Sequence, residues 1–237
     1  MYFEYRGKSS RDFCLKIKEI NNLSSPMRAI DVHQVLGRNG ELIIDQGNYN
    51  NFHLQIECFI DGRPERNGKE LSLAQLASEL KAWLQTSYEY SPIRIEGDEF
   101  YYEGYLDNSL DIQELFVNFG EVLLSFNCKP FKKKDAEKVV IISKGHNLVN
   151  EYMDSEPYMK ILGSGDITLD ISGRIIKFKN VENYIEVDSE LMNCFKDNAN
   201  QNNRMYGEFP VLKQGDNVIS WSGDIKRIEI EPRWVRL

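Results

Sequence analysis

The sequence contains few of the residues from which catalytic and metal sites are usually built. Among its 237 residues are three histidines and four cysteines, namely His33, His53, His146, Cys14, Cys58, Cys128 and Cys194. No His-Glu-x-x-His motif and no Cys-x-x-Cys pair occurs, which argues against a zinc or redox site. No Walker loop, Gly-x-Gly-x-x-Gly turn or Gly-x-Ser-x-Gly elbow is present. Cys58 and Cys128 fall in apolar strand patterns, so we expect them to be buried thiols.

Long apolar runs are also missing. No run approaches the length of about 20 residues that a membrane-spanning helix needs. The segment Met1–Arg6 becomes charged at once and lacks the apolar region of a signal peptide, so we expect synthesis in the cytoplasm. Acidic residues outnumber basic ones by 37 to 29, which gives a net charge of −8. Such a balance opposes binding to DNA and to anionic membranes.

Most of the chain carries strand patterns. Residues 52–60 place Phe52, Leu54, Ile56, Cys58 and Ile60 at every second position, which is typical of a strand with one buried face. The dipeptide Asn39-Gly40 predicts a hairpin. Further strands are predicted at 93–95, 100–106, 114–118, 122–128, 167–171, 174–179, 218–221 and 225–231. Turns are predicted at 47–51, 163–165 and 215–217.

One helix is predicted at Leu73–Thr86. Ser72 and Gln75 stand three apart and form a capping box at its start. The apolar residues recur at spacings of three and four and make one stripe that packs on a sheet. The stripe consists of Leu73, Leu76, Ala77, Leu80, Trp83 and Leu84.

The basic run 129–134, which includes Pro130, marks a change of composition and predicts a linker. We therefore expect two domains, 1–131 and 132–237. The short strands and polar turns of the second half indicate a β-sandwich. A phosphate contact is the alternative role for the basic run, but a solvated connector is the simpler interpretation.

The remaining candidate sites rest on residue type alone. Two carboxylate pairs, Asp107 with Asp111 and Asp188 with Glu190, have the side chains that a glycosidase would need. Close pairs are expected by chance among so many acids, so we assign no catalytic, cofactor-binding or metal-binding residue. Aromatic side chains that could stack on sugars are Phe100, Tyr101, Tyr102, Tyr105, Trp221 and Trp234. Cross-strand packing is the simpler role for the tyrosines.

Several phrases of the sequence, taken in order, resemble a known family. They are residues 3–13, 37–42, 155–158 (Ser-Glu-Pro-Tyr), 163–169, 184–194 (Tyr-Ile-Glu-Val-Asp-Ser-Glu-Leu-Met-Asn-Cys) and 232–234 (Pro-Arg-Trp). This ordered set resembles the distal tail protein (Dit) family of long-tailed bacteriophages and prophages, over nearly the whole chain. No single phrase carries a mechanism, and the resemblance depends on their order.

The resemblance implies a mainly β fold: an N-terminal β-barrel-like belt domain with one α-helix, followed by a galectin-like β-sandwich. It also implies a hexameric ring at the phage tail tip. Such a ring joins the tail tube protein to the tail-associated lysin or fibre, near the tape measure protein, and surrounds the DNA channel. The chain is too short for the carbohydrate-binding insertion of some relatives, and the His-x-Asn-x-Arg pattern of galectins is absent.

Two other functions stay open on residue type. The first is a carbohydrate-binding module for host cell-wall glycans, built on Trp221, Trp234 or the tyrosines at 101–105. The second is a cell-wall hydrolase that uses a carboxylate pair. The family resemblance favours a structural, non-enzymatic tail protein without cofactors.

Overall fold

A computed structural model describes residues 1–21, 24–66, 68–108, 112–116 and 119–237. In this part of the chain the protein is mainly β with one α-helix, which confirms the predicted fold class. Two compact units are formed, Met1–Lys132 with Leu237, and Lys133–Arg236. The boundary expected from the sequence, between residues 131 and 132, lies one residue before this division.

The first unit contains the helix and twelve strands among the described residues. They are β1 (Phe3–Tyr5), β2 (Lys8–Ser9), β3 (Leu15–Ile20), β4 (Arg28–Gln34), β5 (Glu41–Tyr49), β6 (Phe52–Asp61), β7 (Glu65–Arg66), β8 (Lys69–Glu70), α1 (Leu73–Leu84), β9 (Ser91–Ile95), β10 (Phe100–Leu106), β11 (Ile112–Phe116) and β12 (Phe119–Cys128). The main sheet is antiparallel in the order β2-β1-β9-β10-β12-β6-β3, with β11 beside β12.

Strands β6 and β12 form the centre of this sheet. Their pairing runs without a register shift from Phe119 opposite Asp61 to Cys128 opposite Phe52. Of the alternating apolar residues predicted for β6, Leu54, Ile56, Cys58 and Ile60 are buried and Phe52 is partly buried, and the buried residues of β12 face the same core. The period of two therefore places one side of the sheet in the core, as the sequence indicates.

The helix begins where its cap predicts. Ser72 Oγ accepts a hydrogen bond from the Gln75 backbone N–H, and the Gln75 side chain accepts one from the Ser72 N–H. The buried residues of the helix are Leu76, Leu80, Trp83 and Leu84. Trp83 stacks on Phe13 with ring centroids 4.6 Å apart, and its Nε1 donates to the Tyr5 carbonyl oxygen at 2.8 Å. These contacts attach the helix to the sheet.

The second unit contains a second antiparallel sheet. The strands of this sheet are β14 (Val139–Ile141), β15 (His146–Asn150), β16 (Tyr158–Ile171), β17 (Arg174–Val181), β18 (Tyr184–Asp188), β19 (Asn193–Lys196), β20 (Ala199–Asn200), β21 (Met205–Tyr206) and β22 (Gly215–Glu231). The unit also contains β23 (Val235–Arg236), which is not part of this sheet, and β13 (Lys132–Lys134) crosses the division between the units. The order is β14-β22-β16-β18-β19-β20, with β15 on β22, and β17 between β16 and β21.

Long strands replace two of the predicted turns. The turn expected at 163–165 is wrong, because this segment lies inside β16 at a register shift against β22. A Cβ on Gly163 would fall 2.2 Å from the Asp224 carbonyl oxygen, so glycine permits the two backbones to approach. The segments 218–221 and 225–231 are one strand, β22, and the turn expected at 215–217 is its start. Both halves of each strand face one core.

The hairpin predicted from Asn39-Gly40 is present as β4–β5, but its loop spans 35–40 rather than two residues. Strand β5 also continues through 47–49, where a turn was expected. Among the described residues, β4 and β5 form a sheet of their own. No helix in the described ranges has both the length and the hydropathy required to cross a membrane.

Candidate functional site

Three separate phrases of the sequence meet at one place in the second unit. Arg233 donates from Nη1 and Nη2 to the two carboxylate oxygens of Asp188, at 2.7 and 2.8 Å. The Ser189 backbone N–H donates to the Pro157 carbonyl oxygen at 3.1 Å. Tyr158 lies opposite Asp188 in the β16–β18 pairing. The phrases 155–158, 184–194 and 232–234 thus form a single structural cluster, which we call the Asp188–Arg233 cluster.

The electrostatics of this cluster hold Asp188 ionised. Its side chain is 9% exposed and that of Arg233 is 25% exposed. Burial by itself raises the pKa of Asp188, but hydrogen bonds from Arg233 and from the Leu191 backbone N–H outweigh it, so the pKa lies below its usual value. A general acid needs the opposite shift. Asp188 therefore serves as a fully engaged hydrogen-bond acceptor.

The second carboxylate of the predicted pair, Glu190, lies in the same cluster. Its carboxylate is 2.8 Å from Lys133 Nζ and 3.5 Å from Arg233 Nη1. The neighbouring Glu156 has a raised pKa, first because of burial and then because of the Glu190 carboxylate. Asp188 and Glu190 both lie beside the Arg233 guanidinium, in an arrangement that connects distant segments of the chain.

The cluster presents two apolar side chains to solvent, which sequence reasoning did not single out. Leu191 is 72% and Met192 is 66% exposed. Their turn is held by the Leu191 N–H on Asp188 Oδ1 at 3.1 Å and by the Met192 N–H on the Ser189 carbonyl oxygen at 3.2 Å. We call residues 191–192 the apolar turn. Leu191 and Met192 are thus an exposed apolar pair on a turn whose backbone is held by Asp188 and Ser189.

A second exposed apolar surface lies on the β4–β5 hairpin. Ile30, Val32 and Ile43 share one face, because Val32 lies directly opposite Ile43 and two residues from Ile30. Leu42 and Ile44 lie on the other face. All five are exposed, as are Val35 and Leu36 in the loop. Sequence reasoning identified this hairpin but not its exposure on both faces.

The tyrosines considered for sugar stacking do not form one platform. Phe100 and Tyr102 are buried, and Tyr102 packs on Phe52 with ring centroids 5.9 Å apart. The Arg94 guanidinium lies over the Tyr101 ring at 4.4 Å. Cross-strand and core packing thus accounts for most of this group.

A different tyrosine group is exposed. Tyr105 makes edge contacts with Tyr88 and Tyr90, at centroid distances of 6.0 and 5.4 Å. Tyr88 is 79% exposed. The partners of Tyr105 come from the segment after the helix, so strand spacing alone did not reveal them. Trp221, in contrast, is 8% exposed in the second core, and Trp234 packs against that core.

The other candidate residues are dispersed. Asp111 lies outside the described residues, and the Asp107 carboxylate is 3.6 Å from His53 Nδ1 on the surface. His33 lies on β4 and His146 on β15. Within the described ranges, no group of three or more histidine, cysteine, aspartate or glutamate side chains is placed to hold a metal ion.

Three lysines of the basic run form ion pairs with carboxylates. Lys129 Nζ is 2.8 Å from Glu103, Lys132 Nζ is 2.7 Å from Asp98, and Lys133 Nζ is 2.8 Å from Glu190. A phosphate would have to displace these carboxylates. The geometry therefore argues against the phosphate contact. The interpretation as a solvated connector is also wrong, because the side chains of Lys132 and Lys133 are only 11% and 18% exposed.

Comparison with solved structures finds a protein of similar architecture. The Dit protein of phage SPP1, described as a paradigm of the hub adsorption apparatus in phages that infect Gram-positive bacteria, is similar over 100% of this chain and 99% of its own. The TM-score is 0.79 at 14% sequence identity. The chain has the Dit fold. The predicted resemblance to the Dit family is thereby confirmed at the level of the fold, across both units.

Two structures of the phage p2 baseplate in its activated conformation match this chain with lower TM-scores. The structure with Sr gives 11% identity and a TM-score of 0.47, covering 96% of this chain and 97% of that chain. The structure with Ca gives 12% identity and a TM-score of 0.46, covering 100% and 97%. No protein-family model and no curated protein matches the sequence. In this Dit fold, the two exposed apolar surfaces lie on different units.

Proposed function

We propose that the chain is a structural protein of a phage tail tip. The observation that carries the proposal is its likeness to SPP1 Dit from end to end, including both units. In this function, six copies form a ring that joins the tail tube to the tail-associated lysin or fibre and surrounds the DNA channel. The first unit is the ring-forming belt, and the second is a galectin-like sandwich. Assembly takes place in the host cytoplasm, alongside the tape measure protein, and the chain has no catalytic role.

The β4–β5 hairpin supports assembly into a ring. An isolated two-stranded hairpin is only marginally stable in water. This hairpin exposes apolar side chains on both faces, and among the described residues its sheet contains no third strand. A ring needs two different complementary patches on each subunit, and a projecting hairpin covered by a neighbouring copy supplies one of them.

The solution mass of the purified chain tests this proposal. Light scattering across concentration, with negative-stain imaging of the heaviest species, is expected to reveal six-fold rings. The double variant Val32→Thr, Ile43→Thr keeps strand propensity but removes the apolar contact, so its rings should dissociate at a concentration at least tenfold higher. Ile142→Thr is the control, because Ile142 is also apolar and exposed but lies on the second unit.

The proposed ring would be overturned by a wild-type chain that stays monomeric at high concentration. The chain would have to stay monomeric also when it is mixed with tail tube protein and tail-associated lysin. The mixture is part of the test because weak ring contacts are populated only when a partner or high concentration favours them.

One observation supports a second function, the carbohydrate-binding module. The exposed Tyr88 and Tyr90, with the half-buried Tyr105, offer aromatic rings with polar tips. Lys129 lies beside them, with its Nζ 5.2 Å from the Tyr90 ring centroid. Binding of the monomer to host cell-wall glycans, lost in Tyr88→Ser and Tyr105→Ser but kept in Tyr206→Ser, would favour this function over the hub.

A further inference from the structure

The loop of the β4–β5 hairpin contains an asparagine that is followed by a glycine. Asn39 and Gly40 are both exposed and lie in the loop 35–40. Of the asparagines that the structure describes, Asn39 alone precedes a glycine. A second Asn-Gly pair occurs at 67–68, but Asn67 lies outside the described residues. The pair at 39–40 therefore has a chemical property in addition to its role in the reversal of the chain.

An asparagine side chain is open to attack by the backbone nitrogen of the next residue. Hydroxide removes the amide proton of Gly40, and the nitrogen then forms a bond to Cγ of Asn39. The Cγ–Nδ2 bond breaks, and Nδ2 takes up a proton from water and leaves as ammonia. Water adds to either carbonyl carbon of the resulting succinimide ring and opens it to aspartate or isoaspartate. The reaction consumes one water molecule, releases one ammonia molecule and needs no enzyme, oxidant or metal.

The surroundings of Gly40 leave this attack unobstructed. Gly40 has a φ of 85°, and a Cβ built at this position would meet no atom within 4 Å. Because glycine has no Cβ of its own, its backbone approaches other groups closely and reaches conformations that are closed to other residues. Within the described part of the chain, neither the Gly40 N–H nor the Asn39 side chain takes part in a hydrogen bond. No interaction has to be broken before the nitrogen reaches Cγ.

Other asparagines lack one or both of these features. Asn217 is 1% exposed, and its Nδ2 donates to three backbone carbonyl oxygens at 2.8–3.2 Å. That amide is fixed and shielded from water. Asn48 is exposed in the same hairpin, but it lies inside β5 and is followed by Tyr49, whose Cβ lies next to the attacking nitrogen. Exposure and a following glycine therefore coincide at Asn39.

We infer that Asn39 is a site of spontaneous deamidation in the native protein. The inference goes beyond the proposed tail-tip function and does not depend on the ring. The reaction replaces a neutral amide by a carboxylate and so changes the net charge of the chain from −8 to −9. The isoaspartate product also adds one carbon atom to the main chain of the loop. Both changes fall beside Val35 and Leu36, which are exposed apolar residues of the same loop.

Peptide mapping by mass spectrometry tests the inference. The dilute wild-type chain is incubated at pH 7, 8 and 9, so that a neighbouring copy does not cover the hairpin, and is then digested with trypsin. The peptide that begins after Arg38 contains both Asn39 and Asn48, so fragment ions compare the two sites in one molecule. Asn39 should be converted roughly tenfold faster than Asn48 or more, because only Asn39 precedes a glycine. The rate should rise with pH, since the attacking nitrogen must first lose its proton, and both aspartate and isoaspartate should form.

Two glycine variants separate this chemistry from a general loosening of the hairpin. Gly40→Ala places a methyl group next to the attacking nitrogen and should slow the conversion of Asn39 roughly tenfold. Gly47→Ala is the matched control. Gly47 lies in the same hairpin with a φ of 81° and equally open space, but it precedes Asn48 and does not follow Asn39. Circular dichroism shows whether both variants keep the fold of the wild type.

The inference would be overturned if Asn39 kept its amide as long as Asn48 does. It would be overturned equally if Gly40→Ala and Gly47→Ala changed the rate at Asn39 to the same extent. Either result leaves the tail-tip function standing, because the rate is measured on the dilute chain and does not depend on assembly.

Discussion

At the scale of single residues, the environment of Asp188 shows how the fold sets the state of a side chain. Asp188 is buried, and its two carboxylate oxygens accept hydrogen bonds from Arg233 and from the Leu191 backbone. A buried carboxylate without these donors would be strongly unfavourable. The two side chains therefore stabilise the fold together. Removal of either one destabilises the fold, because the other charge stays buried without its main partner.

Asp188→Asn should lower the free energy of unfolding by about 2–3 kcal/mol at neutral pH, since it removes the bidentate partner of the partly buried Arg233 and leaves only the more distant Glu190 carboxylate, 3.5 Å from Nη1. The measurement is urea unfolding followed by circular dichroism. Asp154→Asn is the control. Asp154 pairs with Lys213 on the surface, where an ion pair contributes at most about 1 kcal/mol.

The same pair predicts a pH dependence. The pKa of Asp188 is lower in the folded state than in the unfolded state, so its contribution is complete above the unfolded value of about 3.9 and is lost as the pH falls through the lower folded value. The difference in stability between wild type and Asp188→Asn should therefore shrink below about pH 4. A difference that stays constant down to pH 2 would contradict the assignment.

The cysteines give another residue-scale prediction. Burial raises the pKa of the Cys58 and Cys128 thiols to about 12 and that of Cys194 to about 11. Because the thiolate is the reactive form, these three should resist alkylation in the native protein at pH 8 and react fully in urea. Mass spectrometry after timed iodoacetamide treatment measures this. Rapid native labelling of Cys58 would show that the β6 core is open.

At the scale of elements, the helix depends on one aromatic side chain. Trp83 stacks between Phe13 and Phe3, with ring centroids 4.6 and 5.7 Å away, and also donates to the Tyr5 carbonyl oxygen. Trp83→Ala should lower the stability of the first unit by about 3–5 kcal/mol, since it leaves a large cavity. Trp83→Phe retains most of the stacking and should cost about 1–2 kcal/mol, mainly through the unpaired carbonyl. Both variants are measured by chemical denaturation. Equal losses of unfolding free energy in Trp83→Ala and Trp83→Phe would contradict the larger contribution assigned to stacking.

The hairpin shows why an element can be predicted while its role is not. Asn39-Gly40 indicated the reversal of the chain, since both residues tolerate positive φ. Alternating apolar residues normally indicate burial, and the same alternation in β6 does lead to a buried face. Only the pairing of β4 and β5 in a separate sheet reveals that Val32 and Ile43 stay exposed.

At the scale of the whole molecule, the residues that the structure describes form two hydrophobic cores. Leu54 and Phe126 belong to the first, and Leu169 and Ile228 belong to the second. Calorimetric unfolding of the dilute protein should therefore proceed in two transitions. Trp83→Ala should lower the midpoint temperature of one transition by several degrees, and Asp188→Asn should lower that of the other. A single unfolding transition, with a midpoint temperature that is lowered by either variant, would show that the two cores do not unfold independently.

Local patterns determined much of this protein. The capping box of Ser72 and Gln75, the period of two in β6 and the mainly β class could all be predicted from the sequence, because they depend on neighbours a few residues apart. The ordered phrases also indicated the Dit fold. The length of β16 was not predicted, because the segment 163–165 contains two glycines, as turns often do. In the structure Gly163 instead permits close backbone contact inside β16.

Contacts between distant segments were decided only by the tertiary structure. Asp188 and Arg233 are 45 residues apart, and no local pattern links them. Their ion pair turns a candidate catalytic carboxylate into a structural tie and fixes Leu191 and Met192 in solvent. The sequence by itself thus determined which segments become strands and helix, since that depends on short-range periodicity. The tertiary structure decided which apolar residues remain exposed, since burial depends on what the rest of the chain places beside them.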